Sequence, residues 1–479
     1  MTIRAWLLTG VLAAAGVVSL DAQSLAECQA ARKHGKVEQA RTCFNKLAGS
    51  NQPGIRAEAQ WALNDYKGAN DAFREAVAQS PKNPELRVRW GRMFLERDQP
   101  QDAVKLFEEA LAIQENHAGA QLGMALAAAD RFTSGATELA EKALKADPKM
   151  LEAQELLARI ALEDNNNAKA IIEADKAIVM SPEALDALAI RATVDFMADK
   201  KTSPWMDRVM AINPVYGRAW ETAGHFLVIS RRYEEGIQCY RKPLQLDPTL
   251  WSAESELGVN LMRLGQEDEA RTHLEKVYNE GLSTEPVRNT LKLLDSYKRF
   301  ETFRTPRTVL RLDKKEAALL RPYFQAELDR ALDTYEKKYK THITQPVQIE
   351  VYPNHEDFAV RTMGMPGLGA LGVTFGTVVA MDSPSGRKPG EWHWASTMWH
   401  ELSHVYVLTA TKHRVPRWFT EGLAVHEETA VSPEWGDRLS SEVISALEKK
   451  KLLPIADLDR GFVHPSHPSQ VIVSYYHAG

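Results

Sequence analysis

Small residues that recur along the first half of the chain, most of them 33 or 34 positions apart, constrain its fold more than any other feature. Between Ser24 and Gly281 the sequence is rich in Ala, Leu and Glu, and its apolar residues follow helical spacing. The recurring small residues are Ala40, Ala69, Ala103, Ala136, Ala170, Thr202, Gly236 and Ala270, and prolines follow twelve positions after five of them, at Pro81, Pro148, Pro182, Pro214 and Pro248. Small side chains let two helices approach, and proline ends the second one. The period therefore predicts a stack of two-helix units.

Two segments, RWGRMFLERDQPQDAVKLFEEALAI and ESELGVNLMRLGQEDEARTHLEKV, resemble the tetratricopeptide repeat. The resemblance extends over some 250 residues as about eight units, and the unit around Lys200–Asn213 departs most from the pattern. It implies an all-α superhelical solenoid whose concave face binds a peptide or a protein partner. We expect a final helix, at about Glu285–Arg299, to cap the array.

Charge and cysteine content exclude several classes of protein. The chain has 479 residues, with 59 Lys and Arg against 64 Asp and Glu, and no basic block. A chain with this balance of charges offers no basic surface for the phosphates of a nucleic acid, so we predict no nucleic-acid partner. Three cysteines, Cys28, Cys43 and Cys239, are too few for a disulfide scaffold or a thiolate zinc cluster. Cys28 and Cys43 either form a disulfide or remain as two thiols.

The N-terminus is typical of an export signal. Met-Thr-Ile-Arg precedes an uncharged stretch from Ala5 to Leu20, and small residues follow at a plausible cleavage point before Gln23. The stretch is short and rich in Ala and Gly for a membrane span. We predict a signal peptide over residues 1–22, a periplasmic or secreted mature protein, and no stable membrane span after cleavage. An uncleaved anchor is the alternative.

The hydrophobic pattern of the sequence changes near residue 301, from helical repeats to a mixture of strands and helices. Strands are expected at 308–312, 346–352 and 372–381, and helices at 314–340 and 354–362. The chain is thus predicted to be multidomain, with a signal peptide (1–22), tetratricopeptide-like repeats (23–300) and an α+β domain (301–479).

A glycine pattern in the second domain, Gly367-Leu-Gly-Ala-Leu-Gly372, matches the spacing of a dinucleotide-binding loop. The residues after Gly372 are β-branched and strand-like, whereas a phosphate-binding loop must lead into a helix. We therefore interpret the segment as a glycine-rich loop beside a cleft, with no nucleotide bound.

The sequence His400-Glu401-Leu402-Ser403-His404 carries the strongest chemical signal. Its flanking apolar residues repeat at helical spacing, so the segment is predicted to be a packed helix. Residues four apart lie one turn above each other, which brings both imidazoles to one ion, while Glu401 points about a third of a turn away. This pattern predicts a single zinc ion bound by His400 and His404, with a carboxylate beside its water.

A catalytic zinc needs a third protein ligand and an open position. Glu421, 17 residues after His404 in VPRWFTEGLAVHEETA, is the favoured candidate, and Gly422 beside it would let the second helix pack against the first. The rival ligands are His413, His426, Glu427 and Glu428.

HELSHVYVL and VPRWFTEGLAVHEE together resemble the gluzincin metallopeptidases, most closely the peptidase-MA-like branch. The resemblance covers about residues 303–479 and implies a zincin-like α+β fold. By this likeness His400, His404 and Glu421 would bind zinc, and Glu401 would be the general base.

The same likeness implies two further features of the site. Residues 372–381 would form the edge strand that pairs with an extended substrate, although a purely structural strand is an equal alternative. Tyr475 or Tyr476 would donate a hydrogen bond to the developing oxyanion, and Tyr476 is taken provisionally. The last residues, SQVIVSYYHAG, look like a helix just beginning, so we expect the natural chain to continue past Gly479.

These observations predict an exported zinc-dependent metallopeptidase that hydrolyses peptide bonds through a zinc-activated water. Its substrate would be a protein or peptide, and the repeats would bind that substrate or a protein partner. One alternative is a repeat-based scaffold or adaptor with an inactive peptidase-like domain, and another is a zinc hydrolase acting on a non-peptide amide.

Overall fold

The computed structural model describes residues 20–479 except 130–134, 283, 389, 391, 436–439, 464 and 466. The described residues form two compact units, one within Met1–Pro148 with Ile212–Pro214, the other within Lys149–Ala211 with Val215–Gly479. Most of the predicted signal segment, residues 1–19 of 1–22, lies outside the described residues. Among the described helices none is both long and apolar enough to cross a membrane. The boundaries after residues 22 and 300 stay predictions.

Helices follow one another in pairs through the first part of the chain. They are α1 (Leu20–Lys33), α2 (Val37–Leu47), α3 (Pro53–Ala62), α4 (Tyr66–Gln79), α5 (Pro84–Glu96), α6 (Pro100–Ile113), α7 (Ala118–Ala129), α8 (Ala136–Ala146), α9 (Leu151–Glu163), α10 (Asn167–Met180), α11 (Leu185–Met197), α12 (Pro204–Ile212), α13 (Arg218–Ile229), α14 (Tyr233–Leu246), α15 (Trp251–Arg263) and α16 (Glu267–Asn279). The helical-repeat part of the predicted fold is confirmed. In the divergent unit around residues 200–213, α12 has only nine residues.

Most small residues of the period are buried where the two helices of a pair meet, whereas Thr202 is exposed and precedes α12. Ala69, Ala103, Ala170 and Ala270 are all fully buried. A Cβ on Gly258 of α15 would lie 2.7 Å from Cγ of Leu274 on α16, so only glycine allows this approach. At these positions the spacing of the small residues therefore correctly predicted contacts between helices.

Of the two states left open for Cys28 and Cys43, the structure has the disulfide. Their Cα atoms lie 5.4 Å apart, and the bond joins α1 to α2. Cys239, on α14, is a buried thiol.

A capping helix and a mixed α/β region follow the repeats. Helix α17 (Glu285–Ser296) and a 3₁₀ turn (Tyr297–Arg299) occupy the predicted capping position. The later elements are β1 (Phe300–Arg304), β2 (Thr308–Asp313), α18 (Ala317–Tyr339), β3 (Val347–Tyr352), α19 (His355–Met363), β4 (Gly372–Phe375), β5 (Val378–Asp382), α20 (Trp394–Ala410), α21 (Arg417–Val431), α22 (Ser441–Glu448), α23 (Arg460–Val463) and α24 (Pro468–Ala478), with 3₁₀ turns at Pro384–Gly386 and Ile455–Asp457.

Two strand predictions differ from the structure. The single strand expected at 372–381 is wrong: a turn at Gly376, whose φ is 66°, folds it into the hairpin β4–β5. Strand β1 was not predicted, because its exposed residues carry no clear alternation. Glycine permits the left-handed backbone that this tight turn requires.

The five strands form one mixed sheet in the order β1-β2-β3-β5-β4. The central strands β2, β3 and β5 run parallel, while β1 and β4 are antiparallel to their neighbours. Parallel strands are usually buried on both faces, and every residue of β2 and of β5 is buried. Strand β4, which covers the first part of the strand predicted at 372–381, lies at the edge of this sheet.

Both faces of the sheet are covered by helices. Alternate residues of β5 point to opposite sides: Val379 and Met381 pack against α18 and α20, whereas Val378 and Ala380 pack against the last repeats and α19. One hydrophobic cluster thus joins helices α14–α17 to the sheet. The final repeats and the sheet share a core.

A buried ion network reinforces this shared core. Glu350 on β3 is fully buried, with Arg361 Nε 2.6 Å from its Oε2 and Arg311 Nη1 3.5 Å from its Oε1. Arg311 also binds Glu267 on repeat helix α16 at 2.6 Å. Burial alone would raise the pKa of Glu350, but the two arginines lower it to about 2.

We expect Glu350→Gln to lower the free energy of unfolding at pH 7 by about 3–5 kcal/mol, because it leaves buried Arg361 without its carboxylate and Arg311 with Glu267 alone. The folded pKa is about 2 against an ordinary 4.5. The contribution of Glu350 is therefore present above pH 4.5 and is lost as the pH falls through 2. Denaturant titrations between pH 7 and pH 2 measure this.

Asp333→Asn is the matched control, since its pair with Arg307 is exposed and should contribute little. Equal stability of Glu350→Gln and the control at pH 7 would contradict the assignment.

Candidate metal centre

The helix that carries both candidate histidines is held by its apolar residues. In α20 the side chains of Met398, Trp399, Leu402 and Val405 are at most 1% exposed, and they pack against α18 and the sheet. His393 precedes the helix, and its Nδ1 accepts a hydrogen bond from the backbone N–H of Ser396. The predicted packed helix is confirmed.

Helix α21 brings Glu421 to the two histidines. Nε2 of His400 lies 3.5 Å, and Nε2 of His404 lies 3.3 Å, from Oε2 of Glu421. Ligands about 2.05 Å from a tetrahedral zinc stand about 3.4 Å from each other. Among the described residues, these three make up the one group of His, Cys, Asp or Glu side chains that converge closely enough to hold a metal ion. The donor types suit zinc, both distances to Glu421 are close to this value, and all three donor atoms lie within 4.8 Å of one another.

Each histidine is oriented by a second hydrogen bond on its far side. Nδ1 of His400 is 2.7 Å from Oε1 of Glu428, and Nδ1 of His404 is 2.8 Å from Oγ1 of Thr420. Metal-binding histidines usually engage such a partner, which fixes the ring and its tautomer. Both Nε2 atoms are thereby directed at Glu421.

The pKa values of the three candidate ligands are shifted in different directions. Burial lowers the pKa of His404 to about 4. Burial acts on His400 in the same direction, but its hydrogen bonds to Glu421 and Glu428 raise its pKa to about 10. Burial opposes ionisation of Glu421 as well, yet His404 and Arg231 bring its pKa well below the ordinary value. Glu421 is therefore ionised, as a carboxylate that binds a metal must be.

Glu401 lies beside the edge strand. Oγ1 of Thr374, on β4, donates a hydrogen bond to Oε2 of Glu401 at 2.6 Å. Glu401 is 5% exposed, and burial raises its pKa. A Cβ on Gly372 would lie 2.7 Å from Cγ of Glu401, so the strand passes against this side chain. The carboxylate is held next to the three candidate ligands without being one of them.

The rival ligands have other surroundings. His413 lies in the turn after α20, and His426 is exposed. Glu427 is buried and binds Lys338 and Tyr339, each at 2.8 Å. Glu428 orients His400. Glu428 therefore supports a candidate ligand instead of being one.

The C-terminal helix packs over the site. Tyr475 lies beside His400, with ring centroids 6.3 Å apart, and burial raises the pKa of Tyr475. Tyr476 is partly buried, and successive helical residues point about 100° apart. A Cβ on Gly422 would lie 2.1 Å from the carbonyl oxygen of Ala478, so the close approach at Gly422 is to α24.

An arginine from the repeats also reaches the site. Nη2 of Arg231, in the turn between α13 and α14, donates to Oε1 of Glu421 at 2.5 Å. Burial raises the pKa of Glu401 and that of Tyr475, and the charge of Arg231 opposes both shifts. The guanidinium is therefore electrostatically part of this group.

Comparison with known proteins identifies the helical part of the chain. A family model described as tetratricopeptide repeat matches residues 25–84, 56–120 and 120–184. This chain contains tetratricopeptide repeats. The repeats suggest a protein partner, and they are accompanied by a C-terminal region with a small mixed sheet.

One curated relative and several solved structures are similar to the chain. A peroxisomal targeting signal receptor of Eremothecium gossypii is 26% identical over 209 residues, which are 42% of this chain and 36% of the receptor. A tetratricopeptide repeat protein from Parabacteroides merdae is 14% identical, with a TM-score of 0.36, over 53% of this chain and 98% of that one. YrrB, a tetratricopeptide repeat protein with an unusual peptide-binding site, is 15% identical, with a TM-score of 0.26, over 39% of this chain and 97% of that one.

Sequence reasoning brought His400, His404, Glu401 and Glu421 together, and the structure does the same. It missed Thr374, Thr420 and Arg231. Thr420 adjoins Glu421 and could have been considered, whereas Arg231 lies 190 positions from its partner and gave no local signal.

Gly372→Ala should destabilise the protein by about 1–3 kcal/mol, because the new methyl group meets Glu401 at 2.7–2.8 Å in a packed region. Chemical denaturation measures the change. The control is Gly369→Ala in the preceding loop, where a Cβ meets nothing within 4 Å. If the two variants were equally stable, the close packing of β4 on Glu401 would be refuted.

Proposed function

We propose that this protein is an exported zinc-dependent metallopeptidase whose repeats bind a protein substrate or partner. The observation that carries the proposal is the convergence of His400 Nε2, His404 Nε2 and Glu421 Oε2 at zinc-like spacing, with Glu401 beside them. The resemblance of the two motifs to gluzincins agrees with this grouping. Export follows from the signal-like residues 1–22.

The chemistry assigns a role to each side chain. Zinc held by the three ligands would supply a bound water of pKa about 7 and would polarise the scissile carbonyl. Glu401 takes the proton of the attacking water and delivers it to the leaving amine. Thr374 orients Glu401 through its hydrogen bond to Oε2. Tyr475, which lies beside His400, is our choice over Tyr476 as the donor to the carbonyl oxygen.

The edge of β4 gives a place for an extended substrate. This strand is hydrogen-bonded to β5 on one side and is last in the order of the described sheet. A peptide added along its outer side would run past Glu401, because Gly372 and Thr374 both contact that residue. The proposed substrate is therefore a peptide segment in extended conformation.

We expect the purified protein to bind one zinc ion per chain, and His404→Ala to lose stoichiometric binding because the three-ligand set is broken. Elemental analysis after dialysis against a weak chelator measures the metal content. His426→Ala, which removes an exposed histidine of α21, is the control and should retain zinc. A wild-type protein without bound zinc would rule out the proposed centre.

Glu401→Gln should lower kcat for peptide hydrolysis at least about 100-fold, because the amide cannot accept the proton of the attacking water. Zinc content should be unchanged, since Glu401 is not a ligand. Cleavage of a peptide library, followed by mass spectrometry, measures the activity. Glu356→Gln, an exposed carboxylate of α19, serves as the control. Equal activity of the Glu401 variant and the wild type would refute the mechanism.

A protein-binding scaffold with an inactive second domain is the second candidate, and the matched repeats support the protein binding that both candidates share. A scaffold would retain partner binding after replacement of Glu401 and both histidines, and it would cleave no peptide. Cleavage of the peptide library by the wild-type chain separates the two functions.

A further inference from the structure

The turn that carries Arg231 departs from the other repeats in one respect. In seven of the eight helix pairs, the turn between the two helices contains a residue with positive φ, and these residues are Gly35, Asn64, Asp98, Asn165, Asp199, Arg231 and Gly265. The turn of the remaining pair, α7–α8, lies partly outside the described residues. Gly, Asn and Asp tolerate this left-handed backbone, whereas a long side chain is disfavoured there. Arg231, with φ of 62°, is the exception among them. The repeat fold alone does not explain this choice, and backbone strain of this kind is concentrated at functional sites.

The position of the guanidinium supplies the explanation. Nη2 of Arg231 contacts Oε1 of Glu421, while the other oxygen, Oε2, faces both histidines. Arg417, one turn before Glu421 on α21, adds a longer contact, with its Nε 3.4 Å from Oε1. The two carboxylate oxygens are thus divided, with Oε1 facing the arginines and Oε2 facing the imidazoles. Held in this way, Glu421 would offer a single oxygen to a metal ion.

Neighbouring Arg232 shows what a structural arginine of this turn looks like. Its Nε, Nη1 and Nη2 bond to Glu235, to the carbonyl oxygen of Met197 and to Asp199. In contrast, Nη1 of Arg231 is buried without a hydrogen-bond partner among the described residues. Arg232 binds the repeats, whereas Arg231 is directed at Glu421.

We propose that Arg231 is a positioning residue of the metal centre, supplied by the repeats, and that it makes zinc binding depend on the docking of the α13–α14 turn. This inference rests on the proposed zinc site. Contacts around the turn support such docking: Tyr233 packs edge-on against Phe375 of β4 at 5.7 Å, and Arg414 binds Asp199 at 2.5 Å and Glu235 at 3.1 Å.

The proposal predicts that the repeats are more than a binding module. Metal-orienting partners outside the ligand set typically contribute 10–100-fold to affinity. If Arg231 is such a partner, a binding event that shifts the α13–α14 turn would weaken zinc binding without touching a ligand. The repeats would thereby regulate the centre.

Arg231→Asn tests the proposal, because asparagine occupies the same turn position at Asn64 and Asn165 and suits the left-handed backbone. Asparagine suits the turn, so the variant should still fold, although the loss of a charged partner of buried Glu421 should lower its stability. It should bind zinc 10–100-fold more weakly. Competition with a fluorescent chelator measures the affinity, and thermal unfolding of the metal-free protein measures the fold. Arg74→Met, which removes an exposed ion pair with Asp71 on α4, is the control and should leave zinc affinity unchanged.

Wild-type zinc affinity in Arg231→Asn would overturn the inference. If that variant does not fold, Arg231→Lys decides: a point charge lacking the planar fork should weaken zinc binding several-fold, and unchanged affinity would refute the role. Failure of the proposed function is distinguishable. A wild-type chain that binds zinc but cleaves no peptide would contradict the peptidase and leave this inference standing.

Discussion

Burial of both faces of the five-stranded sheet is the constraint on which the rest of the second unit depends. Its parallel strands β2, β3 and β5 need cover on both sides, and two different parts of the chain supply it. Helices α18 and α20 cover one face, while the last repeats and α19 cover the other. The helix with both histidines and the last repeats are therefore fixed relative to the same strands.

This arrangement concentrates charge in a region with little water. Glu401 and Glu421 are at most 5% exposed, and they lie with His400, His404 and Arg231 in one group. Buried charges are tolerated only when they are paired. Glu421 meets this condition through Arg231 and Arg417 on one oxygen and the histidines on the other. A divalent cation between the three proposed ligands would add positive charge where the carboxylates are crowded.

The sequence was informative where the determining forces are local. Helix pairs follow from small residues and prolines at fixed spacing, and the grouping of His400 with His404 follows from the pitch of a helix. Glu421 could be proposed because a short turn joins its helix to α20. We predicted a single strand where the structure has the hairpin at 372–382. Both strands of the hairpin contain β-branched residues, and only the turn at Gly376 separates one strand from the other.

The remaining features depend on contacts between distant residues. Thr374 meets Glu401 through the strand order, and Arg231 meets Glu421 through the docking of repeats on the sheet. No periodicity encodes such pairs. For Arg231 the sequence does contain one indication, because this arginine stands at a turn position where other repeats have Gly, Asn or Asp. The substitution is recognised as unusual only once the left-handed backbone of that turn is known.

The central claim is that His400, His404 and Glu421 form a zinc centre. Anomalous diffraction at the zinc absorption edge, from crystals grown with equimolar zinc, tests it most directly. The account predicts one peak about 2.0–2.2 Å from Nε2 of each histidine and from Oε2 of Glu421. A peak bound elsewhere, or none among these three side chains, would contradict it.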